Sequence, residues 1–198
     1  MLGQNKRLTA ATSRSDRSAA DEVVLLRQIA AGDRVAFETL YRGYFPRLTR
    51  FLERLMRRPQ AVEEVLNDAM LVVWHKAASF SGQSKVSTWI FAIAYRKALK
   101  ALKRFDEPVE SDDELAESPE PGPEAHLMQR QLTTVLWESI GSMSAEHRAV
   151  IELTYYHGYA YREIAQIMGC PVDTVKTRMF HARRRLRLML SDWKEELP

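Results

Sequence analysis

Residues 159–190 read YAYREIAQIMGCPVDTVKTRMFHARRRLRLML. The apolar residues of the first part recur at helical spacing and predict a short helix, which Gly169 can end because glycine adopts the left-handed conformation without steric cost. Pro171 suits the first turn of a second helix, where its missing N–H is not needed. The second helix has one apolar stripe, formed by Val175, Met179, Ala182, Leu186 and Leu190. Two helices joined by a tight turn predict a helix-turn-helix, whose second helix would enter the DNA major groove.

The charge of this second helix is one-sided, with six Lys or Arg against a single Asp between Val172 and Leu190. Thr177 and His181 lie opposite the apolar stripe and could reach base edges, while the flanking arginines could reach phosphates. Phe180 and Leu188 also point outward and predict contact with thymine methyl groups or with a protein partner. A helical hairpin with a solvated charged face is the alternative interpretation.

Length and composition indicate a globular chain of two small domains. It has 198 residues, of which 45% are hydrophobic, and no apolar run approaches the roughly 20 residues that span a bilayer. Since the N-terminus has no apolar segment typical of a secretory signal, we expect a cytoplasmic protein. Cys170 is the only cysteine, so an internal disulfide is excluded, and packing is its expected role.

The net charge of +3 conceals a strong segregation along the chain. Residues 1–105 carry +10, residues 106–125 carry −9, and residues 126–198 carry +2. Two basic blocks separated by a Pro-rich acidic one predict two contacts with a polyanion. The expected organisation is all-α: a disordered tail at 1–20, a helical domain at 21–105, a flexible linker at 106–125 and the helix-turn-helix domain at 126–198.

Four helices are predicted in the first domain, with Asp21, Asp33 and Ser87 as N-terminal caps. The first ends at Gly32, and the second runs from Val35 past Pro46 to Met56. The third covers about Gln60 to Ser79, and the fourth runs from Ser87 to Phe105.

The fourth helix carries a basic arc made of Arg96, Lys97, Lys100, Lys103 and Arg104. The helical wheel places Trp89 and Ile93 on this basic side. An aromatic ring in line with cations, beside the polar loop before Ser87, is typical of a surface that binds single-stranded nucleic acid. Trp89 packed under the preceding helix, with a solvated lysine face, is the alternative, and the helix alone does not decide between them.

The second domain is predicted to begin with a helix from His126 to Ile140. A second helix, from Ala145 to Tyr156, is capped by Ser144 and closed by Gly158. Neither domain contains a phosphate-binding glycine loop, a nucleophile elbow or a zinc-ligand spacing. The sequence therefore predicts neither an enzyme nor a bound metal or cofactor.

Three sequence pieces together resemble a known family. They are AVEEVLNDAMLVVW (61–74), STWIFAIA (87–94) and the segment from Tyr161 to Arg178. Their order and spacing resemble those of the extracytoplasmic-function (ECF) sigma factors of bacterial RNA polymerase. The resemblance covers about residues 21 to 190.

The resemblance implies a role for each domain. The helix with Glu63, Glu64, Asn67 and Asp68 would dock on core RNA polymerase. The loop and helix that follow would melt the minus-10 promoter element through Phe80, Lys85, Trp89, Arg96, Lys97 and Lys100. The second domain would read the minus-35 element through Arg148, Lys176, Thr177, Arg178, Phe180, His181, Arg184 and Arg185. Sigma factors of this class are typically held inactive by an anti-sigma protein.

Two other function classes remain open on the residues alone. A stand-alone helix-turn-helix regulator would bind duplex DNA without polymerase, and the acidic face at 61–74 argues against it. An interaction-only adaptor would not need two basic faces.

Overall fold

The computed structural model describes residues 20–106 and 136–195. The predicted tail (1–20) and linker (106–125) lie almost entirely outside these residues, as does the predicted helix from His126 to Ile140 before residue 136. Every regular element in the described residues is helical, which confirms the all-α prediction. The N-terminal domain contains α1 (20–30), α2 (Arg34–Met56), α3 (Pro59–Lys76), a 3₁₀ turn (Ala77–Ser79) and α4 (Val86–Asp106). The C-terminal domain contains α5 (136–141), α6 (Ala145–Ile151), a π-helical turn (Glu152–Tyr156), α7 (Tyr161–Met168) and α8 (Val172–Glu195).

Helix α2 begins at a capped end. The Asp33 carboxylate accepts hydrogen bonds from the backbone N–H groups of Val35 and Ala36, at 2.8 and 3.1 Å, as predicted. The helix continues through Pro46 and ends at Arg57, whose φ of 56° lies in the left-handed region. A non-glycine residue in this conformation is uncommon and locally unfavourable.

The core of the N-terminal domain is built on one face of α2. Leu48, Phe51, Leu52 and Leu55 are completely buried there against α3 and α4. Helix α3 contributes its stripe from Ala61 to Val73 and leaves the intervening acids exposed. A helix with one apolar stripe and one polar face is the arrangement expected at a domain surface.

Helix α4 differs from the prediction in two respects. It begins at Val86, so Ser87 lies in its first turn and is not its cap. All residues from Ile90 to Tyr95 are buried, and Ile93, expected on the basic side, is only 5% exposed. The reason is that α4 contacts α2 and α3 on one side and α7 of the other domain on the other side. A helix covered on several sides is apolar around its circumference.

The C-terminal domain contains the predicted helix-turn-helix. Helix α7 ends at Gly169 in the left-handed conformation (φ 65°), and α8 follows directly after Pro171. Helix α6 gives way to a π-helical turn that Gly158 closes (φ 68°). Ser144 occupies the N-cap of α6, but its hydroxyl bonds to Nδ1 of His147 at 2.8 Å rather than to the helix backbone.

The two domains pack against each other and share one continuous hydrophobic core. We call their contact the seam: α2 and α4 on one side, and α5, α6, the π-helical turn and α7 on the other. Phe91 of α4 lies at its centre, with ring centroids 4.8 Å from His157 and 5.4 Å from Tyr159. A smaller cluster around Ile140, Met143 and Ile151 holds α5 and α6 on α8.

Candidate nucleic-acid and polymerase interfaces

Helix α8 presents the outer face of the helix-turn-helix. Its inner stripe, Val175, Met179 and Ala182, is at most 1% exposed, which fixes the rotation of the helix about its axis. The exposed outer residues include six of the predicted minus-35 set: Lys176, Thr177, Phe180, His181, Arg184 and Arg185. Thr177 and His181 lie one turn apart in the first half of the helix, where recognition helices contact base edges.

Local contacts arrange the charges on α8. Lys176 Nζ lies 2.8 Å from the carboxylate of Asp173, and this hydrogen bond lowers the pKa of Asp173. Arg183 Nε donates to the hydroxyl of Tyr155 at 2.9 Å, so this arginine is tied to the π-helical turn. Both pairs are solvent-exposed, and exposed pairs of this kind contribute little to stability.

Phe180 is 63% exposed and Leu188 is 56% exposed. The Phe180 ring lies edge-on to His181, with centroids 5.5 Å apart. Both large apolar side chains are therefore exposed as the sequence predicts, and their contact with a base methyl or with a protein stays a prediction.

Two members of the predicted minus-35 set lie elsewhere. Arg178 is half-buried, with Nη1 3.8 Å from the Cys170 sulfur in the turn. Arg148 lies in the seam, where its guanidinium donates to the backbone carbonyls of Leu55, Gly141 and Met143. Neither side chain is on the outer face of α8, and in this conformation Arg148 is committed to protein contacts.

The predicted minus-10 residues lie in the segment before α4, in its first turn and along its more exposed side. Phe80 and Trp89 stack with ring centroids 5.6 Å apart, and both rings are half-buried against the core. Trp89 thus combines features of both alternatives: it is packed, yet one part of it reaches the surface. Lys85 Nζ lies 2.9 Å from the carboxylate of Glu163 in α7.

The cations of α4 face the acids of α3. Arg96 and Lys100 are exposed, whereas Lys97 Nζ lies 2.9 Å from Asp68. Further along, Arg104 lies 3.6 Å from Glu64. The acidic and basic faces of the N-terminal domain therefore meet along one edge.

The four predicted polymerase-docking residues share the exposed face of α3: Glu63, Glu64, Asn67 and Asp68. Sequence reasoning missed Tyr41 of α2, whose hydroxyl donates to Oδ1 of Asn67 at 2.8 Å. Burial, and then the nearby Glu63 charge, raise the pKa of Tyr41, which keeps this hydroxyl a donor. No local signal in the sequence pairs residues 26 positions apart.

Two titratable groups are buried at the seam. Glu152 is completely buried, and neither of its carboxylate oxygens has a hydrogen-bond partner within the described residues. Burial raises its pKa to about 7, although Arg54 and Arg50 act in the opposite direction. Burial lowers the pKa of His157 to about 4, assisted by Arg47 and Arg50. Both groups are therefore favoured in their neutral forms.

Within residues 20–106 and 136–195, no group of three or more His, Cys, Asp or Glu side chains could hold a metal ion. Among the helices of this same part of the chain, none is long and apolar enough to cross a membrane.

Two family profiles match the chain, one in each domain. Sigma-70 region 2 matches residues 40–107, and Sigma-70, region 4 matches residues 134–186. The first match contains α3 and α4, and the second contains the helix-turn-helix.

Solved structures share the fold. CnrH in complex with the cytosolic domain of CnrY aligns over 87% of this chain and 98% of that chain, with a TM-score of 0.63 and 24% identity. The sigma factor RpoE in complex with the anti-sigma factor NepR from Bartonella quintana aligns over 78% of this chain and 96% of that chain, with a TM-score of 0.62 and 24% identity.

Relatives by sequence cover nearly the same length. The ECF RNA polymerase sigma-E factor of Escherichia coli K12 is 30% identical over 174 residues, which are 82% of this chain and 91% of the relative. The ECF RNA polymerase sigma factor RpoE of Cereibacter sphaeroides is 31% identical over 182 residues, which are 91% of this chain and 99% of the relative. Matched over both domains and almost end to end, the chain belongs to the family of ECF RNA polymerase sigma factors.

Proposed function

We propose that this chain binds core RNA polymerase and directs it to promoters by contacting two DNA elements, one with each domain. The observation that carries the proposal is the outer face of α8: Thr177, Phe180, His181 and Arg184 are exposed opposite a fully buried stripe, and Lys176 and Arg185 are exposed on its two flanks. This face belongs to the region 4 match, and the α4 cations belong to the region 2 match.

Helix α8 would read the minus-35 element. Thr177 and His181 are in position for base edges, with Lys176 beside them, whereas Arg184 and Arg185 lie further along and suit phosphates. Arg178 would support the turn rather than touch bases, because its guanidinium lies against Cys170.

The start of α4 would act on the minus-10 element. Phe80 and Trp89 provide stacked rings at the domain surface, and Lys85, Arg96, Lys97 and Lys100 provide cations along the same helix and the preceding loop. Aromatic rings with adjacent cations hold unpaired bases and their phosphates, which is what strand separation requires.

The exposed face of α3 would dock on core polymerase. It presents Glu63 and Glu64 in one turn and Asp68 in the next, and the Tyr41 hydroxyl donates a hydrogen bond to Asn67 between them. These exposed acids, two of which pair with α4 cations in the free chain, would pair with basic groups of the polymerase, which steers association and fixes orientation.

Regulation and location follow from the same assignment. CnrH and the Bartonella RpoE were solved as complexes with CnrY and the anti-sigma factor NepR, so an anti-sigma protein is the inhibitor we propose here. The chain would work in the cytoplasm as an initiation factor, with the chemistry of RNA synthesis left to the polymerase.

In-vitro transcription tests the proposal. Purified chain is added to core RNA polymerase with a pool of genomic promoter fragments, and the transcripts are sequenced. The expected result is a small set of start sites that depend on both proteins. A stand-alone helix-turn-helix regulator would instead retain duplex DNA without polymerase and produce no new start sites, which would refute the proposal.

A further inference from the structure

The seam carries a polar clasp at one end, in addition to its apolar centre. Arg148 of α6 reaches across to α2, where Nε and Nη2 donate to the backbone carbonyl of Leu55 at 3.0 and 2.7 Å. Its Nη1 donates to the carbonyls of Gly141, at 3.2 Å, and of Met143. Leu55 is the penultimate residue of α2, and Gly141 is the last residue of α5. Carbonyls at helix C-termini lack intrahelical partners and carry partial negative charge, so they attract a cation.

Arg57 forms the second half of this clasp from the opposite domain. Its Nη1 donates to the carbonyl of Gly141 at 2.9 Å, the same oxygen that Arg148 contacts. Two guanidiniums therefore share one carbonyl, and burial followed by the Arg57 charge lowers the pKa of Arg148. Any side chain at position 141 would clash with the Arg57 guanidinium, because an added Cβ would lie 2.7 Å from its central carbon.

Other cross-domain contacts lie along the seam. The guanidinium carbon of Arg54 in α2 lies 3.3 Å from the centroid of the Trp137 ring in α5. At the opposite end, Lys85 is paired with Glu163 of α7. The ion pair with Glu163 engages Lys85, which we assign to the minus-10 contact. The side chain of Arg148, from the second domain, likewise points into the seam and not to solvent.

This arrangement is too compact to serve both promoter elements at once. Elements centred at minus-10 and minus-35 are about 25 base pairs apart, which is roughly 85 Å of B-DNA at about 3.4 Å per pair. A domain of this size has a radius of gyration of only about 12 Å, so two touching domains cannot place α4 and α8 that far apart. Residues 107–135, between the domains in sequence, could span roughly 95 Å if fully extended.

We propose that the seam is an autoinhibitory contact, in which the Arg57–Arg148 clasp holds the free chain in a closed state that must open before it binds a promoter on polymerase. This inference rests on the proposed function, because the need to open follows from the distance between the two elements. Because only open molecules would bind, the apparent affinity for core polymerase is the intrinsic affinity multiplied by the fraction of open molecules.

The decisive variant is Arg57→Gly, alone and combined with Arg148→Gln. Glycine removes the guanidinium and suits the left-handed backbone at position 57, so the N-terminal domain should not lose stability. The matched control is Arg42→Gln on the same helix, which removes an exposed arginine paired only with Glu38. Gly141→Ala is a second variant, since its methyl group displaces the Arg57 guanidinium.

The first measurement is small-angle X-ray scattering of the free protein. We expect the double variant to have a radius of gyration several Å larger than wild type, and the Arg42→Gln control to match wild type. The scattering does not involve polymerase, so its outcome stands whether or not the chain initiates transcription. Equal radii for wild type and double variant, with unchanged helical content, would overturn the inference.

The second measurement is the affinity for core polymerase. Opening should strengthen apparent binding by about 10-fold for the double variant, equivalent to about 1.4 kcal/mol. A misfolded variant would bind more weakly, so tighter binding cannot arise from loss of structure. Unchanged or weaker binding by a folded double variant would contradict autoinhibition.

A cross-link supplies the converse experiment. Arg57→Cys and Ser142→Cys, in a Cys170→Ser background, place one thiol on each side of the clasp and can be joined by a cleavable bis-maleimide. The joined protein should lose promoter-dependent transcription and regain it after the linker is cleaved. Full activity while the linker is intact would show that opening is not required.

Discussion

At the residue scale, the orientation of α8 predicts which side chains would read sequence and which would only bind phosphate. The buried positions Val175, Met179 and Ala182 leave His181 pointing away from the domain, in the half of the helix that would lie in the groove. Arg184 is also exposed, but it lies almost one turn further along the helix. Their substitutions should therefore have different consequences.

We expect His181→Ala to change which minus-35 sequence is preferred, at a cost of roughly 1–3 kcal/mol at one base position. Arg184→Ala should weaken binding to all promoters alike, and the slope of log K against log salt concentration should become shallower by about one. Both variants would be measured against a randomised upstream element at two salt concentrations. The helix would be oriented differently if His181→Ala lowered the affinity for all minus-35 sequences equally while Arg184→Ala changed the preferred sequence.

Glu152 makes a second residue-scale prediction, about pH. Its pKa is raised by burial from 4.5 to about 7, so the stability gained from the neutral carboxyl is full below pH 4.5 and is lost as the pH rises through 7. Glu152→Gln should therefore gain stability relative to wild type between pH 5 and pH 8, by roughly 2 kcal/mol. Denaturant unfolding of both proteins at pH 5 and pH 8 measures the difference in their free energies of unfolding. His157 is present in both proteins, so its own titration cancels in this difference. A difference that stays constant with pH would show that Glu152 does not titrate in this range.

At the element scale, α3 and α4 show what a helical wheel can and cannot predict. The buried stripe of α3, its exposed acids and the helix-turn-helix were predictable, because each depends on spacing within one helix. Ile93 was misplaced because the wheel of α4 cannot include α7, which covers its other side. Arg57 and Arg148 could not be paired from the sequence, since the Gly141 carbonyl that both contact reaches Arg57 only when the domains pack.

The acidic face of α3 should determine binding to core polymerase. Glu64→Lys combined with Asp68→Lys reverses two exposed charges and should reduce retention on immobilised core enzyme by at least 10-fold. Asp68 also pairs with Lys97 of α4, and Glu64 pairs with Arg104. Exposed ion pairs contribute only about 0–1 kcal/mol to stability, so the fold should persist. Glu38→Lys on α2 is the control for charge alone. Equal retention of both proteins would place the docking surface elsewhere.

The start of α4 should control strand separation. Trp89→Ala removes a ring that stacks on Phe80 and reaches the surface, so fewer unpaired bases should be held in the open complex. Permanganate footprinting of a target promoter would show weaker thymine reactivity, and circular dichroism would verify the fold. A folded variant with wild-type reactivity would leave Trp89 a purely structural role.

At the scale of the whole molecule, two domains for which we propose different functions share one hydrophobic core in the free chain. The N-terminal domain combines the exposed acids of α3, which we propose face polymerase, with the α4 cations, and the C-terminal domain carries the second helix of the helix-turn-helix. Charge segregation predicted this division, because the two basic blocks coincide with the two domains. Their packing could not be predicted, since it depends on the match between two surfaces that are each plausible when exposed to solvent.

The central claim is that both domains contact one promoter at the same time while polymerase holds them. The most direct test is transcription by core enzyme and this chain from promoters in which the distance between the two elements is varied one base pair at a time. Each added pair shifts one element by about 3.4 Å and rotates it by about 35°. We expect a sharp optimum, with activity falling steeply within two base pairs on either side. Activity that is indifferent to the spacing, or that persists when the upstream element is deleted, would contradict it.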